Sequence, residues 1–299
     1  MKIMKKLIIA VLLSLVSEFY AADRYWVGNG NWNNSANWST TSGGSGGASV
    51  PGTSDRAIFD ANSTNAIINA NVDVGSLLLT NWNGTITVQD AYTVQIRSSF
   101  NQYSGTITCG TNRFTFYQGS SSAMTCNFAG GTFTANPSGW VRFHNAGYQL
   151  GHSIIGNPVL ENVSFYTSGG GGTYPWIISA GSTVTVNRAI VFEGGGYNQI
   201  KSGSILALGN ITNLNHTQGS GTIFINGSSN QRIYAPASAM AFPNIVVKKN
   251  SGVLNLEGTI KIEREWTHLQ GDINPGSSEV IFVFRGSPYG SISSTTGRA

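Results

Sequence analysis

Beyond residue 22, the chain alternates apolar and polar positions in short runs broken by Gly, Asn and Ser. Ile86 and Val88 fall on one side of such a run, and Thr85, Thr87 and Gln89 on the other. That is the period-two signature of a half-buried strand. Val184 and Val186, Ile223 and Ile225, and Ile260 and Ile262 repeat it. Many runs begin alike: Gly84-Thr-Ile-Thr87, Gly105-Thr-Ile-Thr108 and Gly131-Thr-Phe-Thr134, with Gly181, Gly203 and Gly221 opening looser copies. The intervals between these glycines are similar, except that from Gly131 to Gly181, which is about double and long enough for two turns. A period drifting in the low twenties, with Gly and Asn where corners need positive φ, predicts stacked coils. No later window shows a capped amphipathic helix. The expected fold is all-β: a parallel β-helix-like β-solenoid of roughly ten turns over residues 61–299.

One turn of two or three short strands cannot bury its inner face alone, so turns must stack. Val, Ile and Phe then form inward columns, with Thr, Asn and Ser outside. An uncovered end would invite edge-to-edge association, so a cap is expected there. Residues 23–60 suit that role: Trp26, Trp32 and Trp38 recur at even spacing, followed by Pro51 and Phe59. Sugar stacking is the competing use for Trp26, Trp32 and Trp38, since exposed aromatic rings present flat apolar faces. The Gly/Ser run from Thr40 to Ser49 reads as a flexible loop.

Residues 1–22 read as a signal peptide. Lys2, Lys5 and Lys6 precede the apolar run Leu7 to Val16, which is too short to span a bilayer, and Ala21-Ala22 offers a cleavage region. The expected location is therefore secreted or at the cell surface, with no membrane span once the leader is removed. Three Lys and one Glu leave with it, so the formal charge falls from +4 to +2. That is too little to gather nucleic acid, which is not an expected partner. Charged residues make up 10% of the chain, well below the usual quarter or so. Such a surface stays soluble through hydroxyls and amides, as long extracellular fibres do.

The order Trp26-Val-Gly-Asn-Gly-Asn-Trp32, Asn37-Trp38, Val50-Pro51, Asp55 and Phe59 resembles the start of repeat units in bacterial extracellular β-solenoid surface proteins. These are the autotransporter-passenger-like and filamentous adhesin-like families. Ala241-Phe-Pro-Asn-Ile-Val-Val-Lys-Lys-Asn-Ser-Gly252 is similar to their strand-and-turn units. The resemblance implies an adhesive or structural surface fibre, with glycans or host-surface components as partners and self-association into fibres. It carries no catalytic residues. Ser291 to Ala299 looks like an interrupted turn, which leaves open a chain truncated at its C-terminus.

Cys109 and Cys126 lie a little less than one expected turn apart, both in strand-like contexts. In an oxidising compartment adjacent turns could bring them within disulfide reach, so a disulfide is the expectation and two buried thiols the alternative. No catalytic residue, metal site or cofactor is expected. His144, His152, His216 and His268 are scattered, and no nucleophile or phosphate-loop motif occurs. Glu263 and Glu265 would share one strand face about 7 Å apart, but neighbouring Lys261 and Arg264 make a solvated face the better reading. A polysaccharide-processing β-helix enzyme would need Glu161, Glu263, Glu265 or Asp272 to converge beside Arg or His. A passive glycan- or ice-binding solenoid would need the Thr-x-Thr pairs to align into one flat array.

Overall fold

The computed structural model describes residues 21–119, 122–147, 149–170, 172–239, 241–283 and 291–294. Most of the leader and the extreme C-terminus lie outside these, so the signal-peptide reading concerns undescribed residues. From residue 66 onward the strands wind into about ten stacked turns, and every turn-to-turn pairing is parallel. Each turn has three faces. In the second turn the first face is Thr85–Val88, and Val94–Gln102 supplies the other two by bending partway along.

The Gly-Thr motifs all open first faces. Thr85, Thr106 and Thr132 sit in register, as do Thr183, Ser204 and Thr222. The double-length gap between Gly131 and Gly181 holds an unmarked turn, entered at Gly156 and starting with Val159, which pairs Thr185. Gly105, Gly131, Gly156, Gly181 and Gly203 all have positive φ. At Gly131 a Cβ would also sit 2.4 Å from the carbonyl oxygen of Gly105 in the preceding turn. The corner needs both the left-handed conformation and the missing side chain.

Inside, like residues stack along the axis. On the second face Phe116, Phe143, Phe165 and Phe192 are all fully buried and near-parallel, with successive ring centroids 5.3, 5.5 and 5.3 Å apart. The third face places Leu77, Phe100, Cys126, Ile154 and Ile178 in one column. Burial of each large side chain contributes about 1.5–3 kcal/mol, but only while a neighbouring turn covers it.

Corners would leave carbonyls unpaired, and buried polar side chains satisfy them. Asn162 Nδ2 donates to the carbonyls of Pro137 and Gly139, both at 2.9 Å, and Gln231 Nε2 to those of Ala207 and Gly209. Lys249 does the same with an ammonium. It is fully buried, and its Nζ donates to Gly227 O, Ser229 O and Gln231 Oε1 at 2.6, 2.9 and 2.7 Å. Burial pushes its pKa down.

Trp26, Trp32 and Trp38 are 0, 2 and 0% exposed at the N-terminal end of the core. Trp38 meets Trp26 and Trp32 edge-on at 5.1 and 4.7 Å, and Phe59 joins this group to Trp82. Strand Asp23–Trp26 pairs antiparallel with Trp38–Ser39 and parallel with Arg56–Phe59. The Gly/Ser run, expected to be a flexible loop, is tied down. Gly47 N–H donates to Ser35 O, Ala48 N–H to Trp38 O, and Asn62 Nδ2 to Ser42 Oγ.

Candidate functional site

Several sequence expectations change once side chains are placed. Burial removes Trp26, Trp32 and Trp38 as carbohydrate contacts, because no ring face is left for a sugar. The expected Cys109–Cys126 disulfide is absent: both thiols are free and buried. Cys126 stacks between Phe100 and Ile154 on the third face, whereas Cys109 follows a first-face strand. Ile107, two positions before Cys109, pairs with Phe133 in the next turn. The stacked equivalent of Cys109 therefore lies well beyond Cys126 along the chain. Burial raises both thiol pKa values.

Glu263 and Glu265 do not share a solvated strand face. The strand Asn244–Ile262 ends before them, and Glu263 is buried at the corner, where Oε2 accepts the Gly219 N–H at 2.7 Å. Glu265 Oε1 accepts from Thr267 Oγ1, and Glu161 from Asn187 Nδ2 and Arg188 Nε. The Thr pairs do align over three turns: Thr85, Thr106 and Thr132 in one column, Thr87, Thr108 and Thr134 in the next. Further along the chain a separate first-face column runs Val159, Thr185, Leu206 and Phe224.

The concave feature with the richest chemistry lies on the outer second face. It is a groove of about 260 Å³ lined by Arg113, Trp140, Arg142, Ser164, Val191 and Glu193. Alternation on the strands of four successive turns builds it. Phe114, Phe116, Val141 and Phe143 point inward, which turns Arg113, Trp140 and Arg142 outward. Parallel register then stacks Arg113 beside Trp140, and Arg142 beside Ser164 and Val191. A second column runs Tyr117, His144, Tyr166, Glu193.

Glu193 Oε1 accepts from Arg142 Nη2 at 2.9 Å and from Ser164 Oγ at 2.7 Å. The Arg142 guanidinium also lies 4.4 Å from the Tyr166 ring centre, a cation–π contact. In the turn that precedes Arg113, Arg97 lies over Tyr117 at 5.1 Å and pairs with Asp73. His144 sits edge-on between Tyr117 and Tyr166, with Nε2 2.9 Å from Ser168 Oγ. Burial, then the charges of Arg142 and Arg113, bring its pKa down to about 4. Burial followed by the charge of Arg113 likewise lowers that of Arg142. With Arg113 and Arg142 against Glu193 in its lining, the groove carries one excess positive charge.

Trp140 is only partly buried, unlike Trp26, Trp38, Trp82 and Trp176. Sequence reasoning keyed on the Gly-Thr openings of first faces and missed the second face. Its signal was Arg113-Phe-Thr-Phe-Tyr117 and Trp140-Val-Arg-Phe-His144, two runs with apolar residues at the same alternate positions. Among the described residues no helix is long and apolar enough to cross a membrane, and no group of three or more His, Cys, Asp and Glu could hold a metal ion. No protein-family model, curated protein or solved structure matches the chain. What the fold itself supports is the β-solenoid architecture.

Proposed function

We propose that the chain is an exported, non-catalytic β-solenoid segment of a cell-surface or secreted fibre, serving as a scaffold with an adhesive outer face. The observation that carries this reading is the stacked parallel coil, with outward hydroxyl side chains in register over successive turns, as in Thr85, Thr106 and Thr132. Such a body holds its shape over a long axis without a cluster of charges, and it displays side chains at about 4.8 Å intervals along that axis. The groove supports a binding role. Its carboxylate, Glu193, is already engaged by Arg142 and Ser164, an arrangement suited to holding the Arg in place.

The test is where the mature protein resides and what its loss does. Surface proteolysis of intact producing cells should remove it, and deletion of its gene should reduce attachment. Recovery only from the cytosolic fraction would overturn the reading. Release of reducing ends from a polysaccharide by the purified protein, lost on Glu193→Gln, would replace it with a polysaccharide-processing enzyme.

A further inference from the structure

We infer that the groove of Arg113, Trp140, Arg142, Ser164 and Glu193 binds an acidic polysaccharide, seating one carboxylate-bearing sugar ring on Trp140 with its carboxylate between the two guanidinium groups. The assignment rests on the extracellular reading, because that is where such polymers are met.

Charge is the first argument. The lining residues bring two guanidiniums and one carboxylate. Glu193 is committed to Arg142 and Ser164, and no hydrogen bond or ion pair is found for the exposed Arg113 among the described residues. Burial, then the charge of Arg113, disfavours the ionised form of Arg142. An anion between them removes that repulsion and adds charge-assisted hydrogen bonds. Arg142 Nε is buried and without a partner, an unmet donor of the kind that native structures rarely leave open.

Shape and chemistry then narrow the anion. Trp140 is a partly exposed aromatic surface of the groove, and a flat ring favours the apolar face of a pyranose. Ser164 is buried and, with Glu193, holds Arg142 in place beneath the ring. The volume, about 260 Å³, suits a single sugar ring rather than a large ligand. Because the face is open along the coil axis and continues to Arg97 over Tyr117, neighbouring units of a polymer can run on past the groove. A net charge of +2 after the leader gives no broad field for nucleic acid. A locally cationic strip with an aromatic platform is what remains.

The experiment is affinity electrophoresis of the full mature chain in gels containing polygalacturonate, and in gels containing the same polymer with its carboxylates reduced to alcohols. The native protein should be retarded by the acidic polymer and not by the reduced one. Arg113→Ala, at an exposed position, should weaken binding about tenfold, and Trp140→Ala by a similar factor. Arg113→Lys should recover part of the loss, since charge returns without the fork. Circular dichroism of each variant separates lost binding from lost fold. Equal retardation on both polymers, no retardation on either, or full retention by folded Arg113→Ala would each overturn the inference. None of these outcomes touches export or surface display, which localisation decides separately.

Discussion

His152 offers a test of whether the coil interior is as dry as its packing implies. The ring is fully buried on the third face, 5.0 Å from Trp176 and 5.6 Å from Phe143, with Nε2 3.3 Å from Cys126 Sγ. Its Nδ1 has no partner. Burial, with a smaller contribution from His144, brings its pKa down from 6.5 to about 3. Between those values the unfolded chain binds a proton at this position and the folded chain does not. Protons are then more numerous in the unfolded state, so stability falls as pH falls through the window. Each unit costs about 1.4 kcal/mol once the unfolded imidazole is mostly charged, or roughly 2 kcal/mol between pH 7 and pH 5. His152→Phe keeps an aromatic ring in place and removes the titration. In urea unfolding followed by Trp fluorescence, the variant should lose about 2 kcal/mol less than the native protein over that interval. His144 and the carboxylates are common to both proteins and cancel in the comparison. Parallel pH dependences would refute the reasoning, because they would mean that His152 can take a proton without disturbing the coil.

The phenylalanine ladder makes a second prediction. Phe143→Ala should destabilise the protein by about 3–5 kcal/mol in the same assay, and Phe143→Leu by clearly less, since a cavity opens between the rings of Phe116 and Phe165. A cost of Phe143→Ala below about 1 kcal/mol would mean that the ladder is not tightly packed. The thiols make a third. Native protein should be silent to a thiol reagent because Cys109 and Cys126 are buried, and denaturation without reductant should release both. A disulfide would release neither.

Much of the architecture was legible because its causes are local and repeated. Gly105, Gly131, Gly181 and Gly203 take positive φ where the sequence places turn openings, and Ile86, Val184 and Ile223 face inward as alternation requires. The turn between Gly131 and Gly181 was legible only as a gap. Its strand starts at Val159 after Asn157-Pro158 in place of the Gly-Thr pattern, yet Gly156 supplies the same corner. The candidate site was not legible. Arg113, Arg142, Ser164 and Glu193 lie in successive turns, so their meeting depends on loop lengths that differ from turn to turn. The chain between Arg113 and its partner Trp140 is longer than that between Arg142 and its partner Ser164.

Strand character, corner positions and the need to stack follow from short-range sterics and period-two burial, which every segment carries in itself. Burial of a polar group is decided by the turns above and below. Lys249 and Lys248 are adjacent and alike in sequence, yet one is enclosed among Gly227, Ser229 and Gln231 while the other is exposed. Trp26 and Trp140 likewise differ in what covers them, not in what precedes them. Neighbours from distant turns supply that cover, and register across the stack selects which neighbours they are.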